Sequence, residues 1–516
     1  MKKTFFVTLA IIISTNLYAQ PNLEWETNLG GINSDAATSI QQTNDGGYIV
    51  AGHTASNSGD VGGNNGIKDY WIVKLDENGN LVWENNLGGS DWDWATSIKQ
   101  TADGGYIIAG WSGSNDGDVG GNNGGYDYWI IKLDTNGNLV WEKNLGGNDF
   151  DIPNSIQQTT DGGYIVAGRS SSINGDVGGN NGNTDYWIVK LDTSGNIVWE
   201  NNLGGSGDDI AESIQQTTDG GYIVAGYSSY GDGDVGGNNG NDGSTDYWVV
   251  KLDTSGNLVW ENNFGGSNTD IAKSIQQTTD GGYIVVGYSY SNDGDVGGHN
   301  GDGDYWIVKL DASGNLVWEN NLGGSDEEIA YSIQQTIDGG YIVAGETSSD
   351  DGDVGGNNDE WGTPDYWIVK LDASGNLVWE SNFGGTSHDA AESIQQTTNG
   401  GYIIAGYTYS INGDVGGNNG SRDYWIVKLG ADLSIGDYTI DNIISLYPNP
   451  AENTFTIANL SETISKVEIL DLQGRVILVI SEIHNNIVDI NKLQAAMYIV
   501  KVYAATNVYT QQIIKN

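Results

Sequence analysis

Cysteine is absent from all 516 residues, so there are no disulfides and no cysteine for a lipoprotein anchor; an oxidising compartment is permitted but unused. Stability must come from core size and repetition. Proline is scarce, five in all, and the helical periodicity of apolar residues is missing, which points away from helical folds. Basic residues are few, 20 against 68 acidic ones, for a formal charge of -48. So acidic a chain is a poor partner for nucleic acid or an anionic lipid surface. Cations are its natural counter-species, with solubility in a salty medium the plainer reading. The four histidines, His53, His299, His388 and His484, show no metal-like spacing, and a lone loop histidine is ordinarily solvated. No Gly-x-Ser-x-Gly elbow and no phosphate loop ending in Gly-Lys-Ser/Thr occurs.

What is present begins with an address. "MKKTFFVTLAIIISTNLYAQ" places Lys2 and Lys3 before an apolar run from Phe5 to Ile13, with Ala19 as a cleavage point. Residues 1–19 read as a secretory signal peptide. No other stretch is long and apolar enough to cross a bilayer, so no transmembrane segment is expected.

The body of the chain repeats itself. The tyrosine of "GGYI" falls at 48, 106, 164, 222, 283, 341 and 402, in steps of 58 or 61 residues, a period that suggests solenoids or propellers. Both three-residue insertions lie between "GDVGGNN" and "DYW", which marks a surface loop. Within a unit, "SIQQTTDGGYIVAG" is two β-prone runs joined by Asp-Gly-Gly, and "YWIVKLDTSGNLVWE" is two more joined by Ser-Gly-Asn. Four antiparallel strands per unit make a propeller blade. The seventh unit ends "DYWIVKLGADLS" and lacks its "GNLVWE" strand, while "NLEWETNLGG" near the start is that strand without a unit. The reading is all-β: a seven-bladed β-propeller of four-stranded blades over residues 20–430, closed by pairing of the first and last strands, so that no sheet edge is left open. An open β-solenoid is the alternative, but it has no need of complementary half-units.

"KLDTSGNLVWENNFGG", Lys251 to Gly266, resembles the tryptophan-docking motif of quinoprotein-like propellers. The resemblance implies that Trp25, Trp83, Trp141, Trp199, Trp260, Trp318 and Trp379 wedge between neighbouring blades. Sugar stacking is the sharper reading for a tryptophan, but one that recurs in every blade is core. The quinone-dependent chemistry of that family is not carried over, because no singular acid cluster stands out.

After residues 431–444, a linker, composition shifts. "LYPNPAENTFTI", "VEILDLQGRVI" and "AAMYIVKVYAATNVYTQQIIKN" over residues 445–516 resemble the C-terminal sorting domain of the Bacteroidota type IX secretion system, with Ala496 standing where the family commonly has glycine. Alternating runs such as "KVEILDL" independently indicate a small Ig-like β-sandwich. The resemblance implies export to the periplasm, passage across the outer membrane by the type IX machinery, and removal of the tail with the cargo anchored at the surface or released.

Two acids recur in the propeller. Asp35, Asp93, Asp151, Asp209, Asp270, Glu328 and Asp389 precede strand one, and Asp60, Asp118, Asp176, Asp234, Asp295, Asp353 and Asp414 open the "GDVGG" loop. Both sets should emerge on one rim and make it intensely acidic. Glycine-flexible, oxygen-rich loops suit Ca²⁺, the one cofactor they suggest, although the spacing matches neither an EF-hand nor a nonapeptide calcium repeat and Asx turns explain it as well. The positions that differ between blades point to an asymmetric ligand: His53, Trp111, Arg169, Tyr227, Tyr288, Glu346 and Tyr407 follow strand two on the same rim. The expectation is a monomeric, exported binding or adhesion protein for a glycan or protein, with no catalytic residues. A secreted polysaccharide-active hydrolase or lyase is the competing class.

Overall fold

The computed structural model describes residues 18–434 except 239, 241–242, 299 and 358–361, and residues 444–516 except 459–463, 471–474, 482, 484–485 and 505–507. The signal-peptide and linker readings fall almost wholly on residues 1–17 and 435–443, and His299 and His484 also lie outside the described residues. Two compact units are present, Tyr18–Leu433 and, among the described residues, one running from Ser434 to Asn516.

In the larger unit each "DGG" segment and each "NGN" or "SGN" segment is a tight turn because glycine takes the left-handed backbone there, as at Gly46 (φ 87°) and Gly79 (φ 81°). Asp76 Oδ1 caps the second turn, accepting from Asn78 N and Asn80 N at 2.9 Å. The runs between become strands: Asp35–Gln42, Tyr48–Thr54, Asp69–Leu75 and Leu81–Leu87 form blade 1. The pattern repeats around the ring. The seventh blade pairs Leu23–Leu29 with Asp423–Leu429, Leu29 opposite Tyr424 and Leu23 opposite Leu429. The predicted closure is therefore observed.

Burial follows strand position. Strand three is buried throughout and strand two is buried but for its sixth residue in five blades, because both faces meet neighbouring blades, whereas strand four exposes its first residues. The core consists of seven inter-blade layers. Ile49, Tyr70 and Ile72 of blade 1 pack on Tyr106, Ile108 and Trp129 of blade 2, and Ile403, Tyr424 and Ile426 of blade 7 pack on Tyr48, Val50 and Trp71 of blade 1. Each layer carries an aromatic clasp: Tyr70 lies 4.6 Å from Trp129 and its hydroxyl donates to the Trp129 carbonyl at 2.8 Å. Tyr424 makes the same bond to Trp71, closing the ring. The docking tryptophans lie between blades, Trp25 edge-on to Tyr48 at 5.7 Å, but they are only half-buried, apart from Trp379. The fully buried tryptophans are those of "DYW", Trp71 through Trp425, whose indole N–H groups reach strand four, as in Trp71 Nε1 to Glu84 Oε2 at 3.0 Å.

The smaller unit has a three-stranded sheet (Ser445–Tyr447, Thr454–Ala458, Ile487–Asp489) and a four-stranded sheet (Ile464–Leu470, Val476–Ile480, Ala496–Ala504, Val508–Lys515). Leu446, Phe455 and Val488 of the first share one core with Val467, Ile469, Val500 and Ile513 of the second, as two sheets packed face to face require.

Candidate functional site at the channel mouth

Strand one lines the central channel. Its Ser-Ile-Gln residues ring a cavity of about 320 Å³. Each glutamine locks onto the next blade, Gln41 Oε1 accepting from Gln100 N at 2.6 Å. Lys99 replaces the glutamine in blade 2, and burial lowers its pKa.

The two acid sets do not share an exposed rim, which corrects the sequence reading. Asp35, Asp93, Asp151, Asp209, Asp270, Glu328 and Asp389 are the first residues of strand one and are fully buried. Asp93 accepts from Gly89 N at 2.7 Å and Ser114 Oγ at 3.0 Å, fastening two loops together. A third acid unmarked in the sequence, the aspartate of "DYW", is buried beside it: Asp69 accepts from Asn65 N at 2.6 Å. Burial, with Asp93 and Asp118 adding repulsion, pushes Asp69 up to about 6. An alanine Cβ at Gly88 would fall 2.6 Å from Asp93 Oδ2 and 2.7 Å from Asp69 Oδ1, so glycine is required for the two carboxylates to approach. The "GDVGG" acids stay partly accessible, and Asp118 Oδ2 accepts from Gly88 N at 3.3 Å. Among the described residues no three Asp, Glu or His side chains are gathered as a metal-ligand set.

The residues that vary between blades converge at the mouth. A chain of contacts runs from blade 6 through blades 7 and 1 to blade 3. Tyr331 OH donates to Glu346 Oε1 at 3.1 Å, and Glu346 Oε2 pairs with His388 Nε2 at 2.7 Å. His388 meets Tyr407, whose ring lies under Arg422 at 4.6 Å. Arg422 Nη2 reaches His53 Nε2 at 3.0 Å, and His53 packs on Trp94, Trp94 on Trp111, Trp111 on Tyr126 and Tyr126 on Phe150. Across the channel Lys273 pairs with Glu212 at 2.6 Å, and Tyr227 lies in the field of Glu212, Lys273 and Arg169. Tyr290 of blade 5 donates to Glu327 of blade 6.

Of the positions proposed from sequence, Trp111, Arg169, Tyr227, Tyr288 and Tyr407 are half-buried at this mouth, while His53 and Glu346 are buried within it. His53 is thus no solvated loop histidine, and burial first, then Lys68 and Arg422, drive its pKa well down. Sequence reading missed a second variable set, Thr38, Thr96, Asn154, Glu212, Lys273, Tyr331 and Glu392. A bulge between Ala37 and Ser39, repeated in each blade, sets this residue out of the ladder. In blades 1–3 it turns back onto the next blade, Thr38 Oγ1 donating to Ala95 O at 2.9 Å and Asn154 Nδ2 to Ala211 O at 2.8 Å. In blades 4–7 it is large and charged or aromatic. Burial, then the nearby Glu346 charge, pushes Glu392 up to about 7. Burial works against a charge on His388, but its bond to Glu346 and the charges of Glu346 and Asp389 together outweigh that and raise its pKa. The signal was available, since this is the variable letter before an invariant "SI".

Comparison with known proteins gives one domain identity. Residues 445–516 match the secretion system C-terminal sorting domain. Over 187 residues the chain is 26% identical to the regulatory protein FlaEY of Caulobacter vibrioides, a match covering 34% of this chain and 20% of that protein; the chain thus spans about a fifth of the length of that relative. Similar solved structures include the extracellular domain of a hybrid two-component system from B. thetaiotaomicron, 11% identical, covering 96% of this chain and 60% of that one with a TM-score of 0.38. Another is puromycin hydrolase, 10% identical, covering 86% and 58% with a TM-score of 0.43. No helix among the described residues is long and apolar enough to cross a membrane. The protein therefore carries, at residues 445–516, a type IX secretion sorting domain that directs it across the outer membrane to the cell surface or the medium.

Proposed function

We propose that the exported propeller is a binding protein that takes a glycan at the channel mouth. The observation that carries this reading is the concentration of blade-specific residues there, in a molecule whose remaining strands are near copies. Half-buried rings such as Trp111, Tyr126 and Tyr407 offer flat apolar surface beside hydrogen-bonding groups, the combination that recognises sugars. A protein ligand is the other partner such rings serve. A glycan array probed with the full chain tests the reading. Bound glycans that are lost on Trp111→Ala and Tyr407→Ala support it, and retention of only protein ligands reverses the choice.

A second reading, a polysaccharide hydrolase or lyase, gains one observation. Glu346 and Glu392 form an acid pair found in no other blades, and a carboxyl raised to about 7 is suited to general acid work. Turnover of a polymer that disappears in Glu392→Gln would favour this reading, and binding without turnover would dismiss it.

A further inference from the structure

The inference rests on the glycan-binding reading and concerns which glycan. The residue just before the "DYW" aspartate is Tyr126, Thr184, Thr245, Gly303 or Pro364 in five blades, and Lys68 and Arg422 in the two that adjoin across the ring closure. These two cations sit at one corner of the mouth. Lys68 Nζ lies 4.4 Å from the centroid of Trp94 and 5.2 Å from that of Trp92. Arg422 lies over Tyr407 and Tyr409, its Nε donating to Ser34 Oγ at 3.2 Å and its Nη2 facing His53 Nε2.

Among the described residues neither cation has a carboxylate within ion-pair distance. The lysines of the repeated Lys-Leu pair, by contrast, all meet acids, as Lys74 meets Asp45 and Lys428 meets Glu24, and Lys273 meets Glu212. Glu392 is within electrostatic range of Arg422 but does not touch it. The two cations repel each other: burial, then Arg422, lowers the Lys68 pKa to about 8 against the pull of Asp35, a buried carboxylate already accepting from Gly31 N and Ser56 Oγ. His53 supplies no counter-charge, being a buried neutral acceptor whose Nδ1 has no partner. A protein with 68 acidic residues thus leaves, among the described residues, two adjoining cations without an ion pair, framed by four aromatic rings. An incoming anion would relieve that repulsion and form charge-assisted hydrogen bonds with the guanidinium and ammonium. The flat rings around it favour a saccharide over a bare ion.

We infer that this corner is an anion subsite of the glycan site and takes the carboxylate or sulfate group of an acidic saccharide. Calorimetric titration of the full chain with oligogalacturonate, its methyl ester, a sulfated oligosaccharide and a neutral oligosaccharide tests it, with a peptide bearing a free C-terminal carboxylate as a further arm. An acidic saccharide should bind at least tenfold more tightly than the ester and the neutral chain. Arg422→Gln and, should that variant fold poorly, Lys68→Met should bring the affinity for the acidic saccharide down to that for the neutral chain. Equal affinity for acidic and neutral saccharides, or an acid preference unchanged in both variants, overturns the inference and leaves the glycan reading standing. Binding of the peptide alone, or of none of these probes, overturns both.

Discussion

The junctions between blades and the mouth of the channel are built from the same strands, yet they obey opposite rules. At a junction the tyrosine clasp, the buried tryptophan and the paired carboxylates recur with almost unchanged geometry from blade to blade. At the mouth, residues one or two positions away along the same strands differ in size, charge and aromaticity. Constancy is where close packing leaves no tolerance for change. Variation falls around the channel mouth, where the side chain of one blade need not match that of the next.

The comparison can be broken first at its seam. Deleting residues 21–31 removes strand four of blade 7 and bares the edge of Asp423–Leu429, so the variant should unfold or oligomerise; an unchanged melting temperature and a monomeric elution profile would contradict the closed ring. Next in size is Trp71→Ala, which empties a fully buried site and should cost about 3–5 kcal/mol in chemical denaturation. Trp111→Ala at the mouth, on a side chain already half-exposed, should cost about 1 kcal/mol or less and act on binding instead. Equal losses from the two tryptophans would erase the distinction between junction and mouth.

A smaller effect should appear with pH. Asp69, Asp127 and Asp209 are pushed up to about 6, chiefly by burial. A raised folded-state pKa gives stability that is complete below the unfolded value near 4 and is lost as pH climbs through 6. Asp161, exposed and held down to about 2 by Thr159 and Lys190 against its burial, acts in the other direction and loses its contribution as pH falls through 2. The melting temperature should peak near pH 4, decline through pH 6 and level off above about pH 7, and a rise between pH 4 and 7 would show that the buried acids are compensated. At pH 8, millimolar Ca²⁺ should restore more of the loss than Na⁺ does at matched ionic strength, because site binding adds to screening. Equal effects of the two salts would leave Asp118 and its counterparts as turn-forming groups only.

Much of this architecture was legible in the sequence because a repeat states its own period. The orphan strand at Leu23–Leu29 named its partner by completing the seventh unit, and the order of motifs from Leu446 to Asn516 identified the sorting domain. What stayed hidden depends on contacts between units. Asp35 looks like a turn residue, and its burial follows from Asp423 and Ser56, which arrive from a different blade and a different loop. Thr38 and Glu392 read as ordinary alternating strand positions, because a bulge shifts register without any special residue to announce it. The pairing of Arg422 with His53 joins residues at opposite ends of the propeller sequence.

The strand borrowed from the start of the chain also governs timing. Leu23–Leu29 can find Asp423–Leu429 only after almost the whole propeller has emerged, and drawing together the ends of roughly 400 residues costs on the order of 5 kcal/mol of chain entropy if nothing between them has yet ordered. Stacking of the intermediate blades lowers that cost by bringing the ends near each other, so closure is naturally the last step in assembly. Both halves of the seam lie upstream of residue 434, so cutting away the sorting tail would leave the completed ring with no sheet undone.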